Sequence, residues 1–139
     1  MPAPKRILAV DDDPAALTAV RQILAQKGYD VVTQADAEGA LSTLHHERFD
    51  LAILDVGLPG MSGYELCRRI RQEPATQDLP VIFLTAKGLL MDMAEGEDAG
   101  SDLYLIKPVL ATKLVNMVGM FLSNEAPLAR KRRGAGPEV

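Results

Sequence analysis

Five runs of strand length, most of them unbroken apolar residues, alternate with segments of helical period along this chain. The runs are Ile7 to Val10, Tyr29 to Thr33, Leu51 to Leu54, Val81 to Leu84 and Leu103 to Ile106. Short apolar runs without alternation belong to strands buried on both faces, so helices must cover both sides of the sheet they form. Crossover connections between parallel strands are right-handed. In such α/β folds ligands bind outside the carboxyl ends of the strands, near the point where strand order reverses. Four runs end there in polar residues: Asp11-Asp12-Asp13, Asp55, Thr85-Ala86 and Lys107-Pro108.

The helical segments carry their own punctuation. Asp13-Pro14 sets an N-cap before a proline at the first helical position. Leu17, Val20, Ile23 and Leu24 then share a face, and Lys27-Gly28 gives the stop signal. Ala37 to Glu47 reads as a second helix. Ser62-Gly63-Tyr64-Glu65 has capping-box spacing and starts a third, with Leu66 and Ile70 inward and Pro74 closing the region. Gly88 to Asp98, interrupted by Gly96, reads as a weaker fourth helix, and Leu110, Leu114, Met117, Val118 and Phe121 mark a fifth.

A chain of 139 residues fits one domain, assigned to residues 5–123. No apolar run approaches the roughly 20 residues that span a bilayer, and the four-residue run behind Lys5-Arg6 is too short for a secretory signal. A cytoplasmic location, with no membrane partner, is expected. Cys67 is the only cysteine, which excludes an intrachain disulfide and a thiolate metal cluster. The formal net charge of −4 hides a basic run, Arg130-Lys131-Arg132-Arg133, within residues 124–139, which read as a disordered tail or linker remnant. The more acidic body repels nucleic acid, so nucleic acid is not an expected partner.

Asp55 stands at a strand tip above the Gly/Pro-rich loop Val56 to Gly63, a placement that suits a phosphate acceptor. Several neighbours have plainer readings. Asp13 is explained by N-capping, Pro59 and Gly63 by the turn and helix entry. His45 and His46 read as solvated, and Cys67 as a small core residue. Leu89, Leu90, Met91 and Met93 exceed one buried stripe, with ordinary packing the default. An aspartyl-nucleophile phosphatase is disfavoured, because it wants a second acid two residues on, where Gly57 stands.

From Arg6 to about Leu122, these motifs together resemble the receiver domains of two-component response regulators: an acidic pair closing strand one, Asp-x-x-x-Pro-x-x-x-Gly from Asp55, Thr85-Ala86 and Lys107-Pro108. The resemblance implies a flavodoxin-like, doubly wound (βα)5 fold with strand order 2-1-3-4-5. By position, it implies that Asp55 is the phosphoacceptor, Asp11 and Asp12 the metal-binding acids, Thr85 and Lys107 the phosphate-sensing hydroxyl and ammonium, and Tyr104 the aromatic switch. It further implies a cis Lys107–Pro108 bond. Mg²⁺ prefers oxygen ligands in octahedral array. Asp12, Asp55 and the Gly57 carbonyl would serve as direct ligands and Asp11 through water. Gly57 departs from the family's usual larger side chain, which with the side chain at Lys87 bears on how long a phosphoryl group survives.

The expectation is therefore a phosphorylation switch rather than an enzyme acting on other molecules, catalysing only its own phosphoryl transfer and dephosphorylation. A sensor histidine kinase or histidine phosphotransfer protein supplies the phosphoryl group, and a downstream protein reads helix four, strand five and helix five. Homodimerisation is left open. The alternatives are a receiver-like interaction module that does not cycle phosphate, and the receiver portion of a longer regulator.

Overall fold

The computed structural model describes residues 3–86 and 102–123. The elements run β1 (Arg6–Val10), α1 (Pro14–Ala25), β2 (Asp30–Gln34), α2 (Ala37–His46), β3 (Leu51–Leu54), α3 (Gly63–Gln72), β4 (Val81–Thr85), β5 (Leu103–Ile106) and α4 (Ala111–Leu122). The sequence reading counts α4 as a fifth helix. Its expected fourth helix over 88–98, with Gly96 and the methionine cluster, lies outside the described residues, as do Lys87 and residues 124–139.

All four strand pairings are parallel, in the order β2-β1-β3-β4-β5. This is the expected flavodoxin-like order. Strand order reverses at β1, which has β2 on one side and β3 on the other, so the crevice for a ligand opens above β1 and β3. Alternate strand residues divide the core into two layers. Leu8, Val10, Ala52, Leu54, Val81 and Phe83 pack towards α2 and α3. Ile7, Ala9, Leu51, Ile53, Ile82, Leu84 and Leu105 pack towards α1 and α4, meeting Val20, Leu24, Leu114, Val118 and Phe121. Each fully buried side chain of this size contributes about 1.5–3 kcal/mol.

Local signals set the boundaries. Asp13, Asp36 and Ser62 cap α1, α2 and α3 by accepting from Ala15, Gly39 and Glu65 N–H. Gly28 takes the positive φ of 91° that ends the α1 turn. Tyr29 falls in that turn, its N–H donating to the Leu24 carbonyl at 3.3 Å, so β2 starts at Asp30 and runs on to Gln34. The capping box is only half made, because the Glu65 carboxylate pairs with Arg69 at 3.1 Å and Arg68 at 3.4 Å. Leu110 departs from its expected place in the last helix. It is the extended residue before α4 and is 73% exposed.

Candidate functional site

The backbone ladder runs one residue past the strands and fixes where the polar side chains begin. Asp11 N–H donates to the Gln34 carbonyl at 3.1 Å, Asp55 N–H to Val10 at 2.9 Å, and Lys107 N–H to Thr85 at 2.7 Å. Four neighbouring strand tips thus carry Asp11, Asp55, Thr85 and Lys107 on hydrogen-bonded backbone. The Asp11, Asp12 and Asp55 carboxylates come together with oxygens within 4.8 Å of one another. Asp11 and Asp55 are buried, while Asp12 faces solvent. Asp11 is oriented by the Asp13 N–H, 3.0 Å from its Oδ1, and Asp13 caps α1 as the sequence suggests.

Lys107 Nζ reaches across from β5 to Asp11 Oδ2 at 2.7 Å and lies 3.7 Å from Asp55 Oδ1. Burial raises the Asp55 pKa above its ordinary 3.8, and the Asp11 charge adds to the rise. Lys107 and the Gly57 N–H act against it, and Asp12 adds a smaller upward push. For Lys107 burial works downward, but the Asp11 hydrogen bond and the Asp55 charge outweigh it and lift the ammonium above 10.5. Thr85 is fully buried at the end of β4, and its Oγ1 has no hydrogen-bond partner among the described residues. An unanswered buried hydroxyl is costly, and here it stands at the tip of β4, the strand next to the one that leads into Asp55.

The donor set is all oxygen and anionic, which fits a hard divalent cation such as Mg²⁺. Asp12 leaves the carboxylate cluster open on its solvent side, giving an ion a route in. Gly57 has open space where a Cβ would project.

Tyr104 lies half-buried on the α2/α3 face of β5, beside Phe83 with ring centroids 5.3 Å apart. Its hydroxyl shares a hydrogen bond with the Tyr64 hydroxyl. The Lys107–Pro108 bond is cis, as the resemblance implies. Sequence reasoning passes over Tyr64 and treats Gly63 only as a helix-entry residue. A Cβ at Gly63 would run into the Asp55 carbonyl oxygen and lie 2.9 Å from Asp55 C and Val56 Cα. The glycine eight residues after Asp55 is the signal for that close approach. His45 and His46 are exposed at the far end of the sheet, and Cys67 is buried in the α3 layer. A groove of about 460 Å³ between the α2–β3 and α3–β4 connections is also at that far end. It holds none of the three clustered carboxylates. Phosphoryl chemistry needs the open charged crevice, so that groove is not the candidate site.

A family model described as "Response regulator receiver domain" matches residues 7–119. Among curated proteins, the transcriptional regulatory protein AfsQ1 of Streptomyces coelicolor is 44% identical over 103 residues, covering 74% of this chain and 44% of that protein. The chain spans about half the length of the curated relatives it matches. The structure of a putative response regulator from Chloroflexus aurantiacus is 39% identical with a TM-score of 0.83, over 87% of this chain and 99% of that one. The receiver domain of a sensor histidine kinase from Pseudomonas aeruginosa, solved with a magnesium ion coordinated in its active site cleft, is 32% identical with a TM-score of 0.79. That match covers 86% of this chain and 98% of the other. The expectation that excludes nucleic acid finds no support in this company, which includes transcriptional regulators.

Proposed function

Because the chain belongs to the response regulator receiver domain family, we propose that it is a signalling switch that accepts a phosphoryl group on Asp55. The observation that carries this reading is the convergence, on four strand tips, of three carboxylates, the Lys107 ammonium and the buried Thr85 hydroxyl, which has no partner among the described residues.

Each residue has a defined part. An Asp55 carboxylate oxygen attacks phosphorus of a phosphohistidine on a sensor kinase or phosphotransfer protein. A P–O bond forms as the P–N bond breaks, and the imidazole nitrogen keeps the electron pair. Such transfers pass through a loose, charge-dispersed transition state, so positioning and cationic stabilisation dominate. Lys107, already 3.7 Å from Asp55, answers charge on the incoming phosphoryl oxygens. Thr85 donates its O–H to one of them. Asp11, Asp12, Asp55 and the Gly57 carbonyl would hold Mg²⁺, which when bound neutralises carboxylate and phosphoryl charge. The open space at Gly57 leaves the acyl phosphate accessible to water and favours a short-lived mark. Tyr104 turns the occupied state into a changed surface around β5 and α4.

No described helix is long and apolar enough to cross a membrane, which accords with a cytoplasmic place for this chemistry. A second reading, as the receiver portion of a longer regulator whose other domain contacts nucleic acid, is favoured by the half-length match to relatives. Sequencing the surrounding reading frame tests it. The primary test is incubation with Mg²⁺ and acetyl phosphate followed by intact mass. A gain of one phosphoryl group, absent with EDTA and in Asp55→Asn, is expected. An unmodified protein under all conditions instead indicates the non-cycling interaction module.

A further inference from the structure

Asp55 and Tyr104 are joined by a second route that does not pass through Thr85. α3 enters directly on the Asp55 backbone: Gly63 N–H donates to the Val56 carbonyl at 2.9 Å, and there is no room for a side chain between the helix and the Asp55 carbonyl. Tyr64 is the next residue and is 4% exposed. Its ring meets Phe83 edge-on, with centroids 5.2 Å apart and planes at 84°. Its hydroxyl bonds the hydroxyl of Tyr104, 40 residues further along the chain. Phe83 and Tyr104 are themselves register partners on β4 and β5. Three rings therefore bridge α3, β4 and β5 on one face of the sheet, and the two hydroxyls close the bridge.

This closure has a chemical consequence. A buried tyrosine ring is held by packing, but its hydroxyl needs a polar partner. Rotation of Tyr104 away from α3 must break the bond to Tyr64. The position of α3 thereby biases the position of Tyr104. Because Gly63 leaves no room for a Cβ against the Asp55 carbonyl and donates to the carbonyl of Val56, movement of the Asp55 backbone is passed to Tyr64 without a flexible side chain between.

We propose that Tyr64 is a positioning residue for the switch. Its hydroxyl holds the Tyr104 ring towards α3, and its place beside Gly63 couples that hold to the backbone of Asp55. The coupling half rests on Asp55 as the phosphoacceptor; the hold itself does not.

The chain has three tyrosines, so ring NMR of tyrosine-labelled protein is simple to read. Tyr29 packs against the opposite face of the sheet and serves as an internal control. In Tyr64→Phe, the Tyr104 ring signals should shift. The population of its rotated state by relaxation dispersion should rise about fivefold, the worth of one ordinary hydrogen bond. Tyr104→Phe should reciprocally move the Tyr64 signals, with Tyr29 unchanged in both. Tyr104 signals that superimpose on wild type in Tyr64→Phe overturn the hold, and so does an equal shift at Tyr29, which reports general loosening of the core.

The second arm adds Mg²⁺ and beryllium fluoride, with binding followed by ¹⁹F NMR. Tyr64 signals should move on binding in wild type and also in Tyr104→Phe, where the hydroxyl pair is absent while the route through Gly63 and the ring contact with Phe83 remain. Bound fluoroberyllate with unmoved Tyr64 signals overturns the coupling while leaving the Asp55 assignment intact. No fluoroberyllate binding overturns that assignment and the coupling with it, while the hold is still judged by the first arm.

Discussion

The two ends of this one sheet put the same residue types to opposite use. At the amino ends charge is answered locally. Arg6 lies 2.9 Å from Asp30 and 2.6 Å from Glu47, donates to the Arg48 carbonyl and stacks over Phe49. Its backbone N–H donates to Asp50, while Asp102 takes both the Val81 N–H at 2.8 Å and the Arg71 guanidinium at 3.2 Å. At the carboxyl ends, three carboxylates crowd together with one ammonium set against two of them, and a buried hydroxyl has no partner among the described residues. A fold gains stability by neutralising each charge where it stands. A site that must receive a cation and a phosphoryl group gains from leaving charge unanswered, and it relies on the rest of the sheet to hold it together.

The contrast breaks most completely at Asp55. Asp55→Asn should abolish phosphoryl uptake, measured by intact mass after acetyl phosphate and Mg²⁺, because the amide is nearly the same shape but is not a competent nucleophile. The metal-free variant should be at least as stable as wild type, since one of the crowded charges is gone. Uptake at the wild-type rate on another aspartate would remove the distinction between the two ends.

Asp102→Ala is the counterpart at the opposite end. It takes a carboxylate away from a guanidinium that is only 14% exposed and leaves the Val81 N–H without its acceptor. Breaking such a pair from one side costs about 3 kcal/mol, a large share of a typical domain's stability. Urea unfolding should show that loss, while the folded protein takes up phosphoryl groups at an unchanged rate. Slower uptake with unchanged stability would place Asp102 in the chemistry instead.

Asp12→Ala sharpens the comparison further, because here loss of a carboxylate should help the fold. Asp12 faces solvent beside two acids, so its removal should stabilise the metal-free protein by up to about 1 kcal/mol. The same change should weaken Mg²⁺ binding by calorimetry. Unchanged metal affinity would take Asp12 out of the cluster's function.

The sequence makes the frame of this contrast visible but not its wiring. Runs such as Leu51 to Leu54 are short and wholly apolar, so a two-sided parallel sheet and the polar strand tips follow from them. Asp13, followed by Pro14, is equally plain as a cap. The pairs that define the two ends are not plain. Arg71 and Asp102 are 31 residues apart, and Tyr64 and Tyr104 are 40 apart, so their contacts depend on side-chain direction once helix and sheet are packed. Lys107 illustrates the same limit. Its motif points to the site, but only the geometry shows it closer to Asp11 than to Asp55. Leu110 misleads because helical spacing continues one residue past the true start of α4. Glu65 misleads because Arg68 and Arg69 compete for its carboxylate.

The smallest expected effect, and the one that reports on the imbalance directly, is in the pH dependence of metal-free stability. The folded protein holds the Asp55 proton more tightly than the unfolded chain, whose carboxyl titrates near the ordinary 3.8. Between those two values the native state carries the extra proton, so unfolding releases it and stability falls as pH rises. The contribution is fully present below the unfolded value and is lost by the time pH passes the raised folded value. Lys107 behaves in the same sense at the other extreme. Its folded pKa lies above 10.5, so its stabilisation persists through neutral pH and is lost as pH rises through that higher value. Urea unfolding in EDTA should therefore show a decline above about pH 4 that Asp55→Asn flattens. Saturating Mg²⁺ should oppose that decline, because a cation favours the ionised carboxylates, and the gap between the Mg²⁺ and EDTA curves should widen with pH over the acidic range. A wild-type curve parallel to that of Asp55→Asn in EDTA would mean that burial and the Asp11 charge do not make the fold hold the Asp55 proton more tightly than the unfolded chain does.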